Sequence, residues 1–272
     1  EDHAGREELF ASDYAYFSST SSGWLKHSKA YVDEMTTRFD LDRDSMVVEV
    51  AANDGYLLQY VKEEAIPCYG IEPTASTAAA AREKGVDIIE RFFGVELATE
   101  LAEAGRQADL TAANNVLAHV PDINDFVSGF KRLLKPEGVS TFEFPHLLNL
   151  VRQTQFDTIY HEHYSYLSLA AVARIFAANG LSVFDVEELP THGGSLRVFA
   201  QRSDTGKRER TDRLAKMERI EVEAGIESSA FYNGFQAKAE KVKDDFVAFL
   251  IDAKRKGLKV GAAGPNLPWV TA

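Results

Sequence analysis

Cysteine is nearly missing from this chain: Cys68 is the single one in 272 residues. That excludes an intramolecular disulfide framework and any metal site built from several cysteines. No apolar run approaches the roughly 20 residues that a bilayer-spanning helix requires. The opening EDHAGREELF lacks the basic-then-apolar order of a secretory leader. Positive charge is also in short supply, with 30 Lys and Arg against 42 Asp and Glu and a formal net charge of −12. A general nucleic-acid surface is therefore not expected, because neutralising phosphates takes an excess of Lys and Arg. These shortages point to the reducing cytoplasm, with neither membrane nor nucleic acid as partner, and leave the oligomeric state open. The chain begins without Met and stops at WVTA, so it is read either as a fragment of something longer or as a numbering that omits some segments.

What is present is an alternation of apolar strands and helices. SMVVEVA, PCYGIEP, VDIIERFF, ADLTAANNVLAHV and VSTFEFP read as strands, and YLLQYVKEE, STAAAAREKG and INDFVSGFKRLL as helices between them. Asp122 is placed to cap the last of these, whose Phe126, Phe130, Leu133 and Leu134 recur at helical spacing. Strands separated by single helices predict a parallel sheet covered on both faces. LSVFDVEEL and GGSLRVFAQR then predict an antiparallel hairpin at its end. Residues 1–40 read as an aromatic and helical N-terminal segment, with a helix from Leu25 to Phe39, and residues 41–203 as the α/β domain. Residues 204–272 read as a helical linker into a second α/β domain that begins at LKVGAAG; a surface helix on the first domain is the plainer alternative.

The phrase VVEVAANDGYLL is a strand, a small-residue turn and a helix. Small residues let the backbone approach a ligand, and the helix start favours a negative group there. Glu49, Ala51, Asn53, Asp54 and Gly55 are the candidate ligand-binding residues of this turn. Glu72, at the end of the second strand, is placed to accept hydrogen bonds from ribose hydroxyls. A ribose phosphate would be repelled, and the missing G-x-G-x-x-G weighs against NAD. Asn114 and Asn115 end the fourth strand at the same cleft, and Phe92 and Phe93 can wall an adenine or serve as core.

Four of the seven histidines, His146, His161, His163 and His192, lie between the fifth strand and the end of the hairpin loop. In FDTIYHEHYSYLSL, an extended chain would put His161 and His163 on one side and Glu162 on the other. A tight turn would instead converge Tyr160, Glu162 and His163 on one cleft. HEH lacks the spacing of a helical zinc pair, so no metal is assigned. Acid–base work suits imidazole, whose pKa lies near operating pH. In THGGSLR, His192, Ser195 and Arg197 offer polar contacts to a substrate, and Arg197 can hold a phosphate or carboxylate.

In this order, SDYAYFSS, VVEVAANDGYLLQY, GIEP, NNVLAHVPDINDF, FEFPHLLNL, FDTIYHEHYSYLS and ELPTHGGSLRVFA resemble the C-methyltransferases of thymidine-diphosphate-linked 4-keto-deoxysugars. The resemblance implies a Rossmann-like class I methyltransferase sheet with a terminal antiparallel hairpin, and S-adenosylmethionine as cofactor. It also implies a nucleotide-linked keto-sugar partner, held in part by a C-terminal α/β domain. Zinc belongs, in that family, to a cysteine-rich N-terminal module that this chain lacks. By the same resemblance His163 is the base that removes the C3 proton, Tyr160 and Glu162 position it or the substrate, and Tyr14 and His119 polarise the carbonyl or relay the proton. His146 is taken with His192, Ser195 and Arg197 as substrate-binding. A small-molecule O- or N-methyltransferase would share the cofactor half, and a non-catalytic binding subunit would keep the fold.

Overall fold

The structure is a computed structural model that describes Gly5 and residues 16–261. The chain divides into two compact units, Glu1–Glu227 and Ser228–Ala272. The first is built on a seven-stranded sheet of order β3-β2-β1-β4-β5-β7-β6. Its strands are β1 (Val47–Val50), β2 (Cys68–Ile71), β3 (Ile88–Ile89), β4 (Ala108–Asn114), β5 (Leu134–Pro145), β6 (Leu181–Leu189) and β7 (Ser195–Arg202). β1 to β5 are parallel, and β7 runs antiparallel between β5 and β6. The class I methyltransferase arrangement expected from the resemblance is thus present, closing hairpin included.

Every residue of β1 is buried, as a central parallel strand covered on both faces requires. Two apolar clusters fill those faces, one around Phe130, Phe142 and Phe176 and the other around Tyr31, Leu57 and Phe199. α1 (Ser22–Arg38) precedes β1; α2 (Leu58–Glu63), α3 (Ala75–Glu83), α4 (Val95–Glu103), α5 (Ile123–Leu133), α6 (Leu147–Gln153) and α7 (Leu169–Ala178) run between the strands; and α8 (Asp212–Ala224) follows β7. The Asp122 side chain caps α5 by accepting from the Asp125 amide at 2.9 Å, and Phe126, Phe130 and Leu133 bury its inner stripe. Such a cap contributes about 1 kcal/mol.

α1 lies across the far half of the sheet through polar contacts. The Tyr31 hydroxyl pairs with Thr141 Oγ1 of β5 at 2.6 Å. Glu34 faces Arg197 of β7 at 3.6 Å. Arg38 reaches Asp185 and Glu187 of β6. Both α1 and α8 belong to the first unit, so that unit is wider than residues 41–203.

β3 is shorter than the expected VDIIERFF strand. The Arg91 amide turns back to the Ile89 carbonyl at 3.0 Å, and Phe92 and Phe93 leave the sheet edge. In the second unit, α9 (Ser229–Tyr232) precedes the long α10 (Phe235–Arg255). Residues 258–261 carry no strand, and the remainder of the expected Gly-rich turn lies outside the described residues. Among the described residues no helix is long and apolar enough to cross a membrane.

Candidate active site

A cavity of about 370 Å³ opens at the carboxyl ends of the parallel strands, where open α/β sheets bind ligands. Seven non-glycine residues among the described ones have left-handed backbones, and four of them, Ala51 (φ 60), Asn53 (φ 46), Asn115 (φ 52) and His192 (φ 50), line this cavity. Conformations of this kind persist when the surroundings fix them, and they gather at ligand sites.

One half of the cavity is formed over β1, β2 and β4. Ala51 and Asn53 line it, while Asp54 and Gly55 stand behind. Gly55 has φ 73, and a Cβ there would come within 3.1 Å of Val86 Cγ2. Glu72 accepts from the amides of Asn53 and Thr74, each at 2.9 Å, leaving a further lone pair on each oxygen. Glu49 is fully buried beside the Tyr56 hydroxyl, and neither of its oxygens is in a well-aligned hydrogen bond with a described residue. Burial, reinforced by Asp54 and Glu72, pushes its carboxyl well above the usual range. The side-chain oxygens of Asn114 and Asn115 are likewise buried without donors. Acceptors left in this state fit a ligand that brings ammonium and hydroxyl donors. They do not fit a pyrophosphate, because the lining cation Arg91 is already paired with Glu100. Phe92 and Phe93 both line the cavity; Phe93 also packs edge-on against Phe126 and Phe130 in the core.

Asn53 and Asp54 have a further task. Asn53 accepts from the Ser18 amide at 2.9 Å and donates to the Tyr16 carbonyl at 3.0 Å. Asp54 accepts from the Ser19 amide at 3.3 Å and pairs with Lys84 at 3.1 Å. Together they strap residues 16–20 over the turn, so Tyr16 and Ser18 join the cavity wall.

The other half is lined by His119, Thr158, Tyr160, Glu162, His163 and His192, with Trp24 and Tyr56. Residues 160–163 form a turn closed by the His163 amide donating to the Tyr160 carbonyl at 3.1 Å. Of the two backbone shapes open to YHEH, the turn is therefore the one adopted: Tyr160, Glu162 and His163 converge, and His161 is absent from the lining. His163 Nδ1 sits 2.9 Å from the Thr158 carbonyl. A carbonyl only accepts, so Nδ1 carries the proton and Nε2 is left with its lone pair. Burial lowers His163 below its ordinary value. Burial and the neighbouring His163 ring lower His119 further, to about 4. The Tyr160 ring lies over His163 with centroids 4.2 Å apart. Tyr14 lies outside the described residues.

Of the sequence candidates, Glu49, Asp54 and Gly55 are absent from the cavity wall, and so are three of the four substrate-binding residues. His146 is 1% exposed and pairs with Glu221 of α8 at 2.6 Å. Glu221 also accepts from the Leu169 and Ala170 amides at the start of α7, so His146 fastens two helices to the sheet. Ser195 donates to the Thr191 carbonyl at 3.0 Å. Arg197, 3% exposed, is consumed by Glu187 at 3.2 Å and Glu143 at 3.4 Å rather than presented to a ligand. Conversely, sequence reasoning missed Trp24, Tyr56 and Thr158. Trp24 closes the serine-rich aromatic run, and Tyr56 directly follows Gly55; those positions were the available signals.

Comparison with known proteins identifies the family and the fold. A methyltransferase-domain family model matches residues 24–186, and a C-methyltransferase C-terminal domain model matches residues 190–266. The C-methyltransferase NovU of Streptomyces niveus is 32% identical over 241 residues, covering 89% of this chain and 57% of NovU. The chain thus spans little more than half the length of that relative. Among solved structures, magnesium protoporphyrin IX methyltransferase of Synechocystis PCC 6803, with bound SAH, has TM-score 0.53 at 16% identity over 72% of this chain and 91% of the other. A Haloferax volcanii methyltransferase complexed with the activator Trm112 gives TM-score 0.51 at 14% identity, over 66% and 94% of the two chains. At these identities the likeness is one of fold.

Proposed function

This chain belongs to the methyltransferase-domain family, and from that premise we propose that it is an S-adenosylmethionine-dependent C-methyltransferase acting at C3 of a nucleotide-linked 4-keto-deoxysugar. The observation that carries the reading is the convergence of Tyr160, Glu162, His119 and a tautomer-fixed His163 on one cavity. Proton abstraction from carbon needs a positioned neutral base; simple transfer to an oxygen or nitrogen nucleophile needs less.

The bound cofactor supplies an electrophilic methyl group on a sulfonium. Glu49, Asn114 and Asn115 offer the acceptors for its amino-acid and sugar portions, and Glu72 for its ribose. His163 Nε2 takes the C3 proton of the keto-sugar. His119, held neutral, stands edge-on to His163 with ring centroids 4.7 Å apart, and so keeps a second positive charge from forming beside it. Tyr160 stacks on the base and limits its motion. Reactants held in such an arrangement gain much of their rate from orientation alone. The similarity to NovU, a C-methyltransferase, supports the same choice of carbon as acceptor.

The test is incubation of the protein with S-adenosylmethionine carrying a carbon-13 methyl group and a dTDP-linked 4-keto-deoxyhexose. A new methyl signal coupled to a quaternary or tertiary ring carbon is expected. A methyl signal at the shift of an ether or amine would overturn the carbon assignment, and no labelled product from protein that binds S-adenosylhomocysteine would overturn the substrate class.

A further inference from the structure

The loop joining β6 to β7 carries His192 at φ 50, ψ 37 between a fixed threonine and two left-handed glycines. It is tied down with unusual thoroughness. Thr191 Oγ1 donates to Glu143 Oε1 at 2.8 Å, and the Thr191 carbonyl accepts from the Gly194 amide at 2.9 Å. Gln155 holds the Gly193 carbonyl at 2.7 Å. The second oxygen of Glu143 pairs with His27 Nε2 at 2.8 Å. His27 stacks on Trp24 at 4.9 Å, and the Trp24 ring meets His192 edge-on at 5.5 Å. Glu143, Thr191, His192, Trp24 and His27 therefore form a closed circuit, in which one buried carboxylate fixes both the backbone before His192 and the indole against its ring.

A bulky apolar side chain would wall the cavity without this apparatus. What His192 adds is polarity: its ring lines the cavity and neither nitrogen has a hydrogen-bond partner among the described residues. Its left-handed backbone is a strained conformation that persists where the surroundings fix it, as they must if the imidazole is to point one way.

We propose that His192 is a catalytic residue that donates a hydrogen bond to the C4 oxygen of the keto-sugar as the enolate forms, and that Thr191, Glu143 and His27 are positioning residues that aim it. The inference rests on the C-methylation reading above. In the step concerned, the C3–H bond breaks and its proton passes to His163 Nε2. The released pair forms the C3–C4 double bond while the carbonyl π pair moves onto the C4 oxygen. His192 keeps its proton and stabilises that oxyanion, as fixed donors do in other enolising sites. Burial lowers the His192 pKa and outweighs the raising effect of Glu143, with His27 and His163 adding to the lowering. His192 is thus a neutral donor, and becomes more firmly neutral once His163 is charged.

The experiment is exchange of the C3 hydrogen of a dTDP-linked 4-keto-deoxyhexose in deuterated water, followed by proton NMR with S-adenosylhomocysteine present so that no methyl is transferred. Wild-type protein should exchange the C3 hydrogen. His192→Phe should slow exchange about 100-fold or more with S-adenosylhomocysteine affinity unchanged, and His192→Gln, which keeps an N–H donor, should recover to within about 10-fold of wild type. Thr191→Val should slow exchange about 10-fold at saturating sugar, an effect on kcat rather than KM. Exchange at the wild-type rate in His192→Phe would overturn the role of His192 while leaving His163 as base. If that variant does not fold, as judged by lost S-adenosylhomocysteine binding, equal rates for wild type and Thr191→Val overturn it instead. No exchange by the wild type would overturn the C-methylation reading, and this inference with it.

Discussion

His119 and His163 meet edge to face, with ring centroids 4.7 Å apart, and both are held below the ordinary histidine pKa. Two imidazoles this close cannot both be charged without cost. The base must be neutral to act, so kcat/KM should rise as pH rises through the His163 pKa and be level above it. That rise is expected below pH 6.5, the usual histidine value. His163→Asn should lower kcat by about 100- to 10,000-fold and leave S-adenosylhomocysteine affinity within about 2-fold. A pH profile and a binding titration check both statements.

Glu49 should change its protonation when ligand binds. Its raised pKa favours the protonated carboxyl in the ligand-free protein, whereas a ligand ammonium beside it favours the carboxylate. Binding of S-adenosylhomocysteine should therefore release a proton, seen as a calorimetric heat that changes with the buffer's ionisation enthalpy. Glu49→Gln should bind more weakly and lose that buffer dependence.

His146 should matter for stability and not for substrate. Removing one partner of a buried pair costs about 3–5 kcal/mol, so His146→Ala should lower Tm by about 10 °C in a domain of this size. The KM values for both ligands, measured below the new Tm, should stay within about 2-fold.

Asp185 should show the acid side of the same physics. Burial alone would raise its pKa, but hydrogen bonds from Arg213, Thr211 and Arg38 outweigh it and hold the carboxyl below 3.8. A depressed folded pKa means that its stabilisation is complete above the unfolded value and is lost as pH falls through the folded one. Asp185→Asn should therefore cost about 3–5 kcal/mol at pH 7, and the gap from wild type in urea melts should narrow below about pH 3.8.

Much of this was legible in the sequence where the information is local. The buried run VVEV, the Asp122 cap and the small-residue turn around Gly55 follow from composition and spacing within a few residues. YHEH was legible only as a choice between two backbone shapes, because its turn is closed by main-chain bonds that no side chain announces. What stayed hidden depends on distant partners. Arg197 looks like a ligand-binding cation until Glu143 and Glu187 are seen beside it, and His146 like a site residue until Glu221, 75 positions on, is found against it. Trp24 and His27 stand on a helix before the first strand, and nothing in their neighbourhood points to Glu143 of β5, 116 residues away.

The polar stripe of α1 also sets where this protein can be cut. His27, Glu34 and Arg38 neutralise or satisfy Glu143, Arg197 and Asp185 on the sheet face beneath. A polypeptide started at residue 41 would keep every strand yet leave buried charges facing water or one another, a loss that hydrophobic burial elsewhere does not restore. The smallest self-sufficient piece of the first unit therefore begins ahead of Ser22, because α1 supplies the counter-charges of the sheet face that it covers.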